Sequence, residues 1–265
     1  MKKYLMFFKI SFENFLEYRT NLALGFLLKL IVFTSFVFIW TQIANEGKTI
    51  YGYGLSGIIF YYLCTQVLDG LYTSQAAKLL RDSILKGNLS NNLIKPFCKP
   101  LYFVFIHFSR IIAETLVHII LTIPIILFNI NILNNIVLNT NTIIQFSISA
   151  FLSAIFGFNL YFAIGLISFW TTQAYGLQMV VKNASRFFTG DLMPLDLISY
   201  SFRKYIMLTP FPYTLYFPIK ALMGGFPVSD FLYSMKIILF WIILFIIVNY
   251  FLWKKGLKQY EAVGI

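Results

Sequence analysis

Residues 76–100 read AAKLLRDSILKGNLSNNLIKPFCKP, a basic interruption between two long apolar runs. Ala77, Leu80 and Ile84 recur at helical spacing while Lys78, Arg81 and Asp82 turn elsewhere, so the first part predicts a short amphipathic helix. Gly87-Asn88 supplies its C-terminal stop, Ser90 can cap a second turn, and Pro96 closes that turn. A segment of this kind is either a solvated connector or the part of a membrane protein that meets something outside the bilayer. Its basic character also orients the chain around it.

Working outward, the 265 residues are 59% hydrophobic and 12% charged, with 30 phenylalanines, which is far too apolar for a soluble domain and supplies several bilayer-length runs. The chain therefore reads as an all-α integral membrane protein, a single transmembrane domain over 1–265. Net charge is +11, but the basic residues gather at the ends of apolar segments rather than on a basic face with stacking aromatics. That excludes nucleic acid as the expected partner and points to membrane lipid. Cys64 lies in an apolar run and Cys98 in the basic stretch, so no disulfide is expected, and no ligand-spaced Cys/His set predicts a metal.

Residues 1–20 open like a signal peptide, but Lys9, Glu13 and Glu17 interrupt the apolar core and no small-residue cleavage site follows, so the segment is expected to stay. Leu5, Phe8, Phe12, Phe15 and Leu16 share one face, which predicts an amphipathic helix in the membrane plane. Six crossings follow, at about 21–43, 55–74, 100–128, 143–170, 173–189 and 230–253. Lys29 lies inside the first, and its long stem suits snorkelling to the boundary. Residues 190–227 carry Pro194, Pro210, Pro212, Pro218 and Pro227, and read as short helices or a re-entrant hairpin at the external surface. Both termini and the 76–100 segment fall on the cytoplasmic side by the positive-inside rule, giving a multi-pass protein of the plasma (inner) membrane.

Within the third crossing His107, Arg110, Glu114 and His118 are spaced by three and four residues and share a helix face. At ~1.5 Å per residue, Glu114 lies about 20 Å beyond Pro100, too deep for an interface residue. The stripe is either internally paired, Arg110 with Glu114 or either with Asp69 or Lys29, or it lines a path or a subunit interface. In the fifth crossing Lys182 and Arg186 are one turn apart with Asp191 just beyond, so that helix faces protein or a water-filled cavity. They contact lipid phosphate, Asp191 or an anionic substrate.

No G-x-x-x-x-G-K-[ST] phosphate loop, nucleophile elbow, H-E-x-x-H or kinase set occurs, so neither ATP binding nor catalysis is expected of this chain. The energy for active movement would come from an ion gradient acting on the polar stripe, as in a secondary carrier, or from a separate ATPase. A non-transporting anchoring subunit would share the topology.

The order of elements resembles the permeases of type-2 ATP-binding-cassette (ABC) exporters, in a six-span subgroup. Four phrases carry the likeness: Ile84-Leu85-Lys86-Gly87-Asn88-Leu89 through Leu93-Ile94-Lys95-Pro96; Phe188-Thr189-Gly190 with Pro194-Leu195; Leu208-Thr209-Pro210-Phe211; and the tail from Trp253 to Gly264. The resemblance implies half of a transporter, paired with an identical or sister six-span permease and with two copies of a cytoplasmic ATP-binding subunit that carries the ATP and Mg. It implies no cofactor in this chain and places the ATPase-coupling role on Leu80, Arg81, Ile84, Leu85, Lys86 and Gly87, with the in-plane helix and the tail as further candidates. Lys182 and Arg186 match no general family phrase and so report on this protein's own substrate or structure.

Overall fold

Each long apolar run becomes a helix close to its expected limits, because the bilayer-length hydrophobic stretch is itself the local signal. The computed structural model describes residues 2–17, 19–44, 53–72, 75–90, 99–128, 137 and 139–260, and no strand occurs among them. In order they form α1 (Lys2–Glu17), α2 (Arg19–Ala44), α3 (Leu55–Tyr72), α4 (Gln75–Leu85), α5 (Lys99–Phe128), α6 (Thr140–Leu166) with a 3₁₀ turn Ile167–Phe169, and α7 (Ala174–Thr189). Then come a 3₁₀ turn Leu195–Leu197, α8 (Tyr200–Ile206), a 3₁₀ turn Phe211–Tyr213, α9 (Tyr216–Met223) and α10 (Val228–Gln259). Gly52, residues 129–136, the Leu93 to Pro96 end of the basic stretch, Cys98 and residues 261–264 of the tail lie outside the described residues.

Among the described residues three helices are long and apolar enough to cross a membrane, Leu101–Leu127 in α5, Thr140–Phe169 in α6 with its 3₁₀ turn, and Val228–Gln259. Shorter apolar stretches occupy Leu27–Ile43 of α2 and Leu55–Leu71 of α3. Pro100 falls in the first turn of α5, where its missing N–H costs nothing. Asn139 and Thr142 close a reciprocal capping box at the start of α6. α1 lies against α5, with the Phe7 ring edge-on to Tyr102 at 5.0 Å and Ser109 Oγ donating to the Phe8 carbonyl at 2.9 Å.

α6 is the centre of the bundle, packed by α3, α4, α9 and α10. Its second half is almost continuously buried, and Phe156, Leu160, Tyr161 and Ile164 share one core with Leu68 of α3 and Ile238 and Ile242 of α10. Polar side chains on α6 reach neighbouring backbone: Gln145 Nε2 donates to the Phe226 carbonyl at 2.8 Å, its Oε1 accepts from Phe226 N at 2.8 Å, and Ser153 Oγ donates to the Thr214 carbonyl at 2.9 Å.

Residues 190–227 form short helices, one of the two forms expected, and these pack into the bundle: Leu195, Leu215, Ile219 and Ala221 are fully buried. The apolar residues between the prolines fold back onto α6 and α10, since leaving them outside would forfeit their burial. The last helix runs past its expected limit at Trp253 to Gln259, because Lys254, Lys255 and Lys258 are good helix formers and Gly256 is held by packing.

Asn249 of α10 donates through Nδ2 to the Asn159 carbonyl at 2.9 Å and to its Oδ1 at 3.1 Å, joining α10 to α6 deep in the bundle. Replacing Asn249 by Ala is expected to lower stability by about 1 kcal/mol, read as a fall in thermal midpoint in detergent. An unchanged midpoint would show that this clip does not hold the two helices together.

Candidate functional site

α4 is amphipathic and its apolar face is committed inward. Ala77, Leu80 and Ile84 are buried; Leu80 and Ile84, with Leu89, pack on Phe103 of α5 and on Phe158, Phe162 and Leu166 of α6. The α4 backbone at Ala77 lies directly on Gly165, near the end of α6. Gly87 ends the helix with a φ of 71°, as its position in the sequence predicts. Its carbonyl accepts from Ser90 Oγ and from the Tyr260 hydroxyl, each at 2.8 Å.

The six residues assigned to coupling therefore divide. Leu80 and Ile84 seat the helix and are closed to a partner, whereas Leu85 and Lys86 are exposed, as is Lys78. Arg81 is folded back: its Nη2 donates to Asp82 Oδ1 at 2.9 Å, and its guanidinium lies 5.1 Å from the Tyr175 ring centroid at the start of α7. Arg81 thus ties α4 to α7 rather than pointing outward.

The stripe on α5 is also split by its neighbours. His107 is buried and its Nε2 lies 3.2 Å from the Ala154 carbonyl; a carbonyl only accepts, so Nε2 carries the proton and bonds α5 to α6. His118 Nδ1 lies 2.6 Å from the Glu114 carbonyl one turn back on its own helix. The Glu114 carboxylate rests against Gly70 of α3. Among the described residues no ion pair joins Arg110 to Glu114, and Arg110 Nε is buried without a hydrogen-bond partner.

Lys29 Nζ lies 3.2 Å from Asp69 Oδ2 on the adjacent helix, so the cation is paired within the protein. Lys182 of α7 is close enough to act electrostatically on both Asp69 and Glu114. The Lys29–Asp69 pair thus joins α2 to α3, with Glu114 of α5 packed on Gly70 beside it. A small cleft beside it is lined by Lys29, Phe33, Leu63, Gln66, His118 and Thr122. Arg186 is placed otherwise: its Nε meets Asp191 Oδ2 at 2.5 Å, the structural partner among those expected.

A second polar centre lies at the opposite end of the molecule from α4, around Asp196. The Tyr53 hydroxyl donates to Oδ2 at 2.5 Å and the Tyr216 hydroxyl to Oδ1 at 2.7 Å. Arg203 Nη1 lies 3.0 Å from Oδ1 and Lys220 Nζ 3.1 Å from Oδ2. Burial pushes the Asp196 carboxyl up, but the two phenol hydrogen bonds and the Lys220 charge outweigh it and hold the group below the ordinary carboxylate range. In the sequence Asp196 is one acid in a basic, proline-broken segment. Its four partners come from positions 53 to 220, so nothing local marks it.

Comparison with known proteins gives one family. A family model described as "ABC-2 family transporter protein" matches residues 30–264. No curated protein matches the chain significantly.

The Asp196 network makes a signed prediction. A carboxylate with a depressed folded-state pKa adds stability that is present above the unfolded value of about 3.9 and is lost as pH falls through the lower folded value. Asp196→Asn should cost about 2 kcal/mol near neutral pH, because it leaves Arg203 and Lys220 facing a neutral amide. It should also flatten the fall in thermal midpoint on acidification below about pH 4. An identical acid limb in mutant and wild type would remove Asp196 as its source.

Proposed function

Because this chain belongs to the ABC-2 transporter family, whose model matches residues 30–264, we propose that it is the membrane permease of an exporter driven by a separate cytoplasmic ATPase. The observation that carries the reading is the seating of α4. One face is locked onto the end of α6, the most buried of the three long apolar helices, and the other presents Leu85 and Lys86 outward. A body pressing on that face would move α6, and with it the helices packed around α6. No phosphate loop accompanies this arrangement, so the binding energy for the cycle belongs to the partner, along with its ATP and Mg.

In this reading α2, α3, α5, α6, α7 and α10 are the six crossings, α1 lies in the membrane plane, and the turns with α8 and α9 form the re-entrant region on the external side. α7 is about 24 Å long against roughly 30 Å of hydrocarbon, so the chain after Gly190 completes its crossing. Both termini and α4 are cytoplasmic in the plasma membrane, as Lys78 and Arg81 of α4, Lys86 just beyond it and the lysines at the end of α10 support. Two such permeases, identical or sister, work with two ATPases. The charges around the Lys29–Asp69 pair, Lys182 among them, border the path and favour an anionic or amphipathic cargo. A gradient-driven carrier working through the α5 stripe is the weaker reading, since His107 and Glu114 are engaged with different helices.

Two outcomes are expected. Vesicles containing this chain alone should hydrolyse no ATP, and hydrolysis by the pure chain would overturn the proposal. Lys86→Glu should cut ATP-driven transport by roughly tenfold, a loss of about 1.4 kcal/mol in coupling, while the thermal midpoint stays at the wild-type value because Lys86 is exposed. Full transport by that variant would mean that the outer face of α4 is not where the ATPase acts.

A further inference from the structure

The tail of α10 makes contacts that crossing a membrane does not require. The Trp253 ring stacks on Phe162 of α6 at 6.1 Å. At Gly256 a Cβ would stand 2.1 Å from Phe169 Cδ2, so the aromatic ring occupies the space that any larger residue needs. Tyr260 sets its ring edge-on to Phe169 at 6.0 Å and donates its hydroxyl to the Gly87 carbonyl at 2.8 Å. Gly87 is the residue that ends α4. The tail therefore reaches the last turn of α4 through a block made of the end of α6, its 3₁₀ turn and three tail residues.

We propose that Tyr260 is a positioning residue for α4: its hydroxyl latches the C-terminal turn of α4 to the end of α10, so that α4, the end of α6 and the tail move as one body. This rests on the reading of α4 as the site where an ATPase acts, and it adds the route by which that action reaches the last helix. The geometry supports a latch rather than incidental packing. Gly87 adjoins the exposed Leu85 and Lys86, so the bond fixes the orientation of the face offered to a partner. The contact with Phe169 also requires that the helix carry glycine at 256, which ordinary helix propensity disfavours.

The latch can be tested in the chain by itself and coupling in the complete complex. In detergent, hydrogen exchange at the amides of residues 84–90 should speed up about fivefold in Tyr260→Phe, which keeps the ring against Phe169 and removes only the hydroxyl. Lys258→Ala, on the exposed side of the same turn, should leave that exchange unchanged. Gly256→Ala should loosen the segment further, and Tyr260→Phe decides the question if that variant does not fold. The ATP-hydrolysing complex, isolated from its native membrane through a tag on this chain, should then bind its ATPase as tightly with Tyr260→Phe as with wild type. Transport per ATP hydrolysed should fall severalfold. Unchanged exchange would overturn the latch, and faster exchange with unchanged transport per ATP would overturn the positioning role. If the wild-type complex carries out no ATP-driven transport, the functional reading of α4 fails and the positioning role with it, while the exchange result still decides whether the bond holds the turn.

Discussion

The structure depends on one constraint: a polar group placed inside an apolar bundle is costly unless it finds a partner in the protein, because no water is there to supply one, and few of the described groups, Arg110 Nε among them, go without. α6 meets that constraint along its length. Gln145 clips the backbone at Phe226, Ser153 that at Thr214, and Asn159 receives Asn249 of α10. His107 of α5 bonds back to Ala154. Each bond falls between α6 and a different segment, so the polar side chains that look like interruptions in an apolar helix are the points that fix its neighbours. Apolar packing alone would leave those neighbours free to slide, since lipid tails are as good a solvent for Leu and Phe as other helices are.

The position of α4 follows from the same centre. Its apolar face has nowhere to go but the end of α6, where Gly165 lets the two backbones touch and Phe158, Phe162 and Leu166 receive Leu80 and Ile84. A short amphipathic helix is marginal by itself, so its order comes from this seat and from two ties in and just beyond its second half, Arg81 over Tyr175 and Tyr260 on Gly87. Leu80 and Ile84 are thus as necessary to any coupling as Lys86, but for a different reason. They seat the helix against α6, which is what the proposed transmission of a displacement requires.

The helices and their limits were legible in the sequence because hydrophobic length is a local property: the ends of α5 and the start of α7 fall within a residue of the apolar run that predicts them. Partners were not legible. A helix face lists which residues share it, but not which neighbour that face meets, and so His107 and Glu114 share a stripe and serve different helices. Lys29 pairing with Asp69, or Asp196 gathering Tyr53 and Tyr216, depends on contacts between positions far apart in the chain, or brought together by a fold-back. The family-like phrases have physical reasons that only the packed structure supplies. Gly256 makes room for Phe169, and Phe211 lies edge-on against Phe156 of α6.

The aromatic richness of the chain has a similar explanation. Breaks between helices leave carbonyls without intrahelical donors, and inside an apolar bundle these are costly unless a side chain reaches them. Here tyrosine and tryptophan do so repeatedly. Tyr61 donates to the Gly190 carbonyl at 2.7 Å and Tyr62 to that of Leu192 at 2.7 Å, exactly where α7 stops short and irregular backbone continues. Tyr213 donates to Met207 at 2.7 Å and Trp241 to Leu208 at 3.0 Å, beyond the end of α8. Such residues suit the task because each carries a donor at the tip of a large apolar body, so the body can be buried while the tip satisfies the backbone. Tyr260 on Gly87 applies this device at the end of α4. What distinguishes it is the segment held: the other four bonds stabilise connections within the bundle, whereas this one controls the orientation of the helix that faces away from it.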